Sequence, residues 1–148
     1  MIRDQRQLRM RALGRMFHAA KASTSFFYDA CLRDPTLAGD DEFGVRDIRD
    51  CREDMENTYL TRMFSEFEIT LRDYWANACR RKTYPPARDL IDAIASRRAV
   101  IWDVLAKVHQ IREYRNAIIH GGAVAPRIQL VESQTCLSKF ISRLPWQW

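Results

Sequence analysis

Four side chains suited to phosphate chemistry lie close together near the end of a helical pattern. Arg115 is followed directly by Asn116, His120 comes four residues after that, and Arg112 lies one helical turn before Arg115. Arginine offers paired donors that match a phosphate, and an unperturbed imidazole titrates near neutral pH, so it can give or take a proton. Asparagine can orient either group. These residue types indicate a site that could cut a phosphodiester without a metal ion.

Helical spacing distributes these four side chains over two faces. Residues four apart lie on the same side of an α-helix, so Arg112, Asn116 and His120 share a face. Arg115 lies about 140° from His120 and closer to the apolar stripe of the helix. Burying an unpaired arginine is costly, so we expect Arg115 to face a phosphate or a second subunit. The simpler alternative is that both arginines pair with Glu113 or with carboxylates of another helix, and that His120 caps a helix end, where a cation is favoured. Candidate carboxylates on the second helix, for which solvent exposure is the simpler expectation, are Glu66, Glu68 and Asp73.

The segment from Arg115 to His120, with Asn116 directly after the arginine, fits the RX4-6H motif and resembles the HEPN superfamily of helical-bundle ribonucleases. The resemblance implies an all-α, HEPN-like bundle of four to five helices that forms a dimer and builds a composite active site across its two-fold axis. It also implies metal-independent endoribonuclease activity without a cofactor, in which a 2′-hydroxyl attacks the phosphate. Arg115, Asn116 and His120 would be catalytic, and we expect Arg112 to bind substrate.

Members of this family often act as toxins beside an antitoxin, or in defence and RNA processing. The resemblance therefore implies RNA, a second copy of this chain and a possible cognate antitoxin as partners. Two other classes of function stay open from the sequence alone. A non-catalytic helical module of the same fold would bind RNA, a nucleotide or a protein partner. A basic helical regulator would bind DNA, but no short helix–turn–helix pattern supports that reading.

The other two histidines are weaker candidates for proton transfer. Arg11 and His18 also match the spacing of the motif, but Ala12 follows that arginine and no glycine follows the histidine. We therefore interpret His18 as a bystander. His109 has no arginine at the required distance, and we expect it to be a hydrogen-bonded structural residue.

Composition predicts a globular helical protein. Of 148 residues, 47% are hydrophobic and 29% are charged, which suits one folded domain over residues 1–148. Five glycines and five prolines are few, which favours long helices over strands and turns. No apolar run reaches the length of a membrane helix and the N-terminus lacks a signal-peptide pattern, so we expect a cytoplasmic protein that does not enter a membrane.

The spacing of the cysteines bears on metal binding, and the charge distribution bears on the kind of partner that we expect. No CxxC pair occurs, so zinc is not expected, and we predict four reduced, buried and inert thiols. The net charge is +5, yet residues 39–70 carry ten acidic and four basic side chains, whereas residues 71–148 carry thirteen basic and six acidic ones. The basic half holds the motif, which suits an acidic partner such as nucleic acid, although a solvated surface with no particular partner would look the same.

Hydrophobic periodicity predicts five helices, roughly over residues 5–31, 44–82, 87–97, 98–120 and 132–143. We expect the highly charged stretch 45–57 to be a solvated or frayed helix, with a kink or break near 53–58. Gly121 is well placed to cap the fourth helix in the left-handed conformation. The four tryptophans are too scattered to form a base-stacking platform, so we expect them to pack in the core or the tail. A C-terminal helix and apolar tail, about 132–148, could bind a partner.

Overall fold

The described part of the chain folds into five α-helices, as the sequence predicts. The computed structural model describes residues 2–39, 43–122 and 126–148, and no strand occurs within them. The helices are α1 (Ile2–Arg33), α2 (Val45–Asn77), α3 (Ala87–Arg97), α4 (Trp102–His120) and α5 (Leu130–Ile141), and a short 3₁₀ helix (Pro35–Ala38) follows α1. Parts of two predicted loops, residues 40–42 and 123–125, lie outside the described residues. None of the helices in the described ranges combines the length and apolar character that a membrane span requires.

α2 lies at the centre of the bundle and contacts each of the other four helices. Its apolar residues recur every three or four positions, so they form a stripe that the other helices bury. The buried members of this stripe are Leu60, Met63, Phe64, Phe67, Leu71 and Tyr74. The ring of Phe67 lies 5.7 Å from that of Phe64 and 5.3 Å from that of Phe140 of α5, measured between centroids. The predicted core of the second helix is therefore confirmed, except that Trp75 and Ala78 are partly or fully exposed.

α1 and α2 form a long antiparallel hairpin. Arg6 pairs with Asp73 near one end of the hairpin, with Arg6 Nη2 and Asp73 Oδ2 3.1 Å apart. Near the other end, a second small apolar cluster joins Cys31 of α1, Ala38 of the 3₁₀ helix and Ile48 of α2. The first half of α2 is therefore a solvated helix face, as expected, because its charged side chains are exposed or half-buried. It is not frayed, since the helix is continuous and Ile48 and Met55 are buried.

α3, α4 and α5 pack around the second half of this hairpin. α4 runs antiparallel to α3, because His109 Nε2 lies 2.7 Å from Asp92 Oδ1. This contact confirms the expected structural role of His109. α5 begins where Glu56 of α2 accepts a hydrogen bond from the backbone N–H of Leu130 at 3.0 Å. A carboxylate stabilises this helix start, since the first amides of a helix have no partner within the helix.

Helix boundaries differ from the predicted ones in every described helix except α3: α1 covers residues 2–33 rather than 5–31, and α2 ends at Asn77 rather than at residue 82. α2 is continuous through residues 53–58, so the predicted break is not present. α4 begins at Trp102 rather than at residue 98, because Ala99 has a φ of 48°, a left-handed conformation that a regular helix cannot include. α5 is shifted two residues towards the N-terminus of the predicted range. In contrast, α3 has the predicted bounds, because the prolines before it mark its start.

The four cysteines are free thiols, but they are not all buried. Cys31 and Cys136 are buried, Cys79 is half-buried and Cys51 is exposed. The prediction of uniformly buried cysteines is therefore wrong. The reason is that Cys51 falls on the outward face of the first half of α2, where the sequence offered no clear apolar stripe.

The tryptophans differ in their exposure to solvent, and not all of them pack against the bundle. Trp102 is 76% exposed at the start of α4, which contradicts the expectation that it packs in the core or tail. The C-terminal tail does pack against the bundle. The ring of Trp148 lies 5.6 Å from that of Tyr74 in an edge-to-face arrangement, and the guanidinium of Arg3 lies 3.4 Å from the ring centroid of Trp146. These intramolecular contacts occupy the tail that the sequence offered as a partner-binding segment.

The central position of Phe67 makes a testable prediction for stability. Phe67→Ala removes a fully buried ring between α2 and α5, so we expect the free energy of unfolding to fall by about 3–5 kcal/mol. Phe26→Ala is a matched control, because Phe26 is 74% exposed and its loss should change stability by less than about 0.5 kcal/mol. Urea unfolding followed by circular dichroism measures both, and equal losses in the two variants would contradict the described core.

Candidate functional site

The motif residues lie on the C-terminal half of α4, whose opposite face is anchored to α2. Val108, Ile111 and Tyr114 are buried. The hydroxyl of Tyr114 donates a hydrogen bond to Asn57 Oδ1 of α2 at 3.0 Å. This buried line fixes the rotation of α4 and so determines which residues face outward. Sequence reasoning missed Tyr114 as an anchor, although it continues the three-residue spacing of the other two.

Gly121 ends α4 directly after His120. Its φ of 66° and ψ of 25° are left-handed, and its N–H donates to the carbonyl oxygen of Ala117, which confirms the predicted cap. The N–H of Gly122 donates to the same oxygen at 3.2 Å. The cap holds the helix end in a regular geometry and leaves the imidazole of His120 exposed to solvent.

Arg115 is half-buried, and Asn116 holds its guanidinium. Arg115 Nη1 donates to Asn116 Oδ1 at 3.1 Å, and the guanidinium carbon lies 5.9 Å from the ring centroid of Phe64. Arg115 Nε is buried without a hydrogen-bond partner among the described residues. A buried donor that lacks an acceptor costs free energy, so this N–H favours an acceptor such as a phosphate oxygen.

Arg112 is only weakly neutralised. Its Nη2 lies 3.3 Å from Glu113 Oε1, and the Glu113 side chain is 66% exposed. Surface pairs of this kind contribute little, and Arg112 Nε has no hydrogen-bond partner among the described residues. The carboxylates of α2 that might have held the motif arginines instead pair elsewhere: Glu66 with Arg9, Glu68 with Arg72 and Asp73 with Arg6.

The four motif residues all lie in the C-terminal half of α4, but among the four the structure shows only one hydrogen-bonded pair. Arg115 and Asn116 form a hydrogen-bonded pair. His120 makes no hydrogen bond to the other three within the part of the chain that the structure describes. A single chain therefore presents an arginine–asparagine pair and, one turn further, a separate exposed imidazole.

The neighbourhood of the motif is acidic. α2 passes beside this end of α4 with its most acidic stretch, within residues 39–70. Arg127, which lies beyond the cap, is already paired with Glu56, with Arg127 Nη2 and Glu56 Oε2 2.8 Å apart. Local attraction for a phosphate therefore depends on Arg112 and Arg115.

A groove of about 760 Å³ lies between the first half of α4 and α5, away from the motif. Its walls include Val104 and Lys107 of α4 and Val131, Cys136 and Lys139 of α5, and none of the four motif residues lines it. Burial raises the pKa of the Cys136 thiol to about 11, and the nearby ammonium groups of Lys107 and Lys139 oppose that rise. Sequence reasoning missed this groove because only tertiary packing brings its two walls together.

Within the described ranges, no three His, Cys, Asp or Glu side chains converge as a metal site would require. Comparison with protein-family models, curated proteins and solved structures finds no match to this chain.

The cap of α4 provides a matched pair of glycine variants. Gly121→Ala places a β-carbon on left-handed backbone, so we expect the free energy of unfolding to fall by about 1–2 kcal/mol. Gly122→Ala should cost less than about 0.5 kcal/mol, because its nearest neighbour, the Cα of Ala117, is at an ordinary 3.9 Å. Urea unfolding compares the two, and an equal effect would contradict the left-handed cap.

The raised pKa of Cys136 predicts low reactivity towards iodoacetamide. A thiol with a pKa of about 11 is deprotonated to only about one part in a thousand at about pH 8, and the thiolate is the reactive form. We therefore expect the exposed Cys51 to be alkylated first in the native protein. Peptide mass spectrometry measures both sites, with urea-denatured protein as the control in which both react. Equal native rates would contradict the burial of Cys136.

Proposed function

We propose that this chain is a metal-independent endoribonuclease of the HEPN type, with Arg115, Asn116 and His120 as catalytic residues and Arg112 as a substrate-binding residue. The observation that carries the proposal is the Arg115–Asn116 pair, whose buried Nε donor lacks an acceptor among the described residues, next to an exposed imidazole. The same residues carry the resemblance to the RX4-6H motif. An all-helical bundle with the motif on a late helix agrees with the architecture that the resemblance implies.

The proposed reaction is attack of a ribose 2′-oxygen on the adjacent phosphorus. A base takes the 2′-hydroxyl proton, the bond between phosphorus and the 5′-oxygen breaks, and an acid protonates that oxygen. The products are a 2′,3′-cyclic phosphate and a 5′-hydroxyl, and no metal or redox partner is needed. His120 would transfer a proton, and such positioned groups contribute roughly 10²–10⁴-fold each. Arg115 would bind the phosphate and stabilise the charge of the pentacoordinate transition state, while Asn116 fixes the guanidinium.

A second copy of the chain would complete this chemistry. Concerted removal and delivery of protons needs two groups, and one chain presents one imidazole at the motif. Ile119, next to His120, is 45% exposed, so an apolar side chain is available at the site for a partner to cover. We therefore infer a homodimer with a composite site that contains both copies of His120. In a toxin–antitoxin or defence system, a cognate antitoxin would act by covering this surface.

A non-catalytic helical module is the second candidate function. It is favoured by the separation of His120 from the Arg115–Asn116 pair in a single chain, and by the position of the α4–α5 groove away from the motif. Such a module would bind RNA, a nucleotide or a protein without cutting it.

Cleavage of labelled single-stranded RNA in the presence of EDTA tests the proposal. We expect His120→Ala to lower the cleavage rate by at least about 10²-fold, because it removes the proton-transfer group. His18→Ala is the matched control, since His18 is also exposed and fits the motif only by spacing. That variant should cleave like the wild type.

Urea unfolding and sedimentation first establish that both variants have the stability and the oligomeric state of the wild type. Cleavage that survives in His120→Ala at the wild-type rate would reject the assigned site. No cleavage by any of the three proteins, together with RNA binding, would favour the non-catalytic module.

A further inference from the structure

One end of the bundle gathers cations that no described carboxylate neutralises. This end contains the starts of α1 and α4 and the ends of α2, α3 and α5. Arg3 at the start of α1 donates to the carbonyl oxygen of Ser142, just after α5, at 3.2 Å. Arg98, just after α3, donates through Nε to the carbonyl oxygen of Arg143 at 2.8 Å. The residues of this surface, called the basic end below, are Arg80, Arg81, Lys82, Arg97, Arg98 and Arg143. None of the six forms an ion pair with another described residue.

The loop after α2 and the end of α3 belong to one surface. The N–H of Cys79 donates to the carbonyl oxygen of Tyr74 at 3.2 Å, which holds the start of the loop against the end of α2. The N–H of Arg81 donates to the carbonyl oxygen of Trp75 at 3.2 Å, so Arg81 lies against the same end of α2. Arg143, whose carbonyl oxygen accepts from Arg98, precedes the tail whose Trp148 packs on Tyr74 with ring centroids 5.6 Å apart, so the end of α3 belongs to this surface too. Asp103, in the first turn of α4, is a carboxylate at this end and reduces the positive field without pairing with any of the six.

Two exposed aromatic rings lie at or next to this end of the bundle, at the start of α4 and in the loop after α2. Trp102 is 76% exposed and begins α4 four residues after Arg98. Tyr84 is 80% exposed, and the guanidinium of Arg72 lies 3.8 Å from its ring centroid. Cations without a carboxylate partner and exposed aromatic rings at the same end of a protein are the combination that binds phosphates and stacks bases of single-stranded nucleic acid. An acidic peptide would use the cations but would leave the rings without a planar partner.

The basic end offers cations that the surroundings of the motif lack. Close to the motif, Arg127 is paired with Glu56, so the cations left for a phosphate are Arg115 and the weakly paired Arg112. The two surfaces lie at opposite ends of α4, whose 19 residues span about 27 Å. A substrate held only at the motif would bind weakly. A substrate that also reaches the basic end can contact six further cations, none of which must first leave a carboxylate partner.

We propose that the basic end is a binding site for single-stranded RNA, with phosphates on Arg80, Arg81 and Lys82 and a base stacked on Trp102. The proposal deepens the proposed function and rests on it for the choice of RNA. The basic end anchors the strand while the motif at the far end of α4 cuts it.

Fluorescence anisotropy with a labelled single-stranded RNA of about 16 nucleotides tests this site in the full chain. His120→Ala is the background, so that the RNA stays intact. In that background, the triple variant Arg80→Gln, Arg81→Gln and Lys82→Gln should weaken binding by about tenfold or more. It should also reduce the salt dependence, the slope of log K against log salt, by about 2, since each phosphate contact on a single strand contributes about 0.7.

A matched triple variant controls for net charge. Arg15→Gln, Lys21→Gln and Arg62→Gln remove the same three charges from exposed positions that form no ion pair with a described residue. We expect its affinity to stay within about threefold of the background, because long-range effects of exposed charges are screened. Equal weakening by both triple variants would mean that only net charge matters, and it would overturn the assignment of the site.

The stacking contact is tested by Trp102→Ala, with Phe26→Ala as the control of similar exposure at the far end of the hairpin. Loss of one base stack should weaken single-stranded RNA binding roughly five- to a hundredfold, and Phe26→Ala should not change it. An unchanged affinity in Trp102→Ala, or equal affinity of the protein for duplex RNA or an acidic peptide, would overturn the single-stranded RNA site.

The outcomes separate this site from the proposed function. If the basic-end variants bind RNA normally while His120→Ala abolishes cleavage, the RNA site at the basic end is rejected and the proposed ribonuclease activity is supported. If the basic-end variants bind RNA more weakly and the wild type does not cleave RNA, the RNA site is supported and the proposed ribonuclease activity is rejected.

Discussion

Burial of the apolar stripe of α2 is the constraint on which the rest of the structure depends. α1, α3, α4 and α5 each pack against α2, and the rings of Phe64, Phe67 and Phe140 interlock at the centre. Because α4 must bury Val108, Ile111 and Tyr114 towards this stripe, its rotation is fixed. The motif residues therefore face away from the core or sit at its edge. Arg115 is half-buried beside Phe64 for the same reason.

Charge is distributed along the bundle in a way that bears on function. The long hairpin carries the acidic stretch, and its carboxylates pair with arginines such as Arg49 and Arg127. At the opposite end, six cations have no such partner within the described residues. A polyanion would therefore be attracted to the basic end more strongly than to the surroundings of the motif. In the proposed nuclease, binding and cleavage would use separate surfaces along α4. That division explains how a motif in an acidic neighbourhood could act on RNA.

Much of the fold follows from local sequence signals, whereas the surface features do not. The prolines before α3 and the glycine after His120 act within a few residues, so the bounds of α3 and the cap of α4 were predictable. The core of α2 was predictable because its stripe is regular. The small cluster around Ile48 was missed, because one buried isoleucine among many charges gives no periodic pattern. The exposure of Trp102 was missed because a left-handed Ala99 delays the start of α4. For the site, the spacing predicted a shared face, but the Arg115–Asn116 contact and the acidic surroundings depend on rotamers and neighbouring helices.

The chemistry of the cleaved RNA ends distinguishes attack by the 2′-oxygen from attack by a water molecule. Purified protein would be incubated with single-stranded RNA in EDTA, and the ends of the fragments would be identified by mass spectrometry. A parallel substrate would carry a 2′-deoxynucleotide at the mapped cleavage position. We expect 2′,3′-cyclic phosphate and 5′-hydroxyl ends, and no cleavage at the deoxynucleotide, because the attacking oxygen is missing there. Fragments with 5′-phosphate and 3′-hydroxyl ends, or cleavage at the deoxynucleotide, would contradict it.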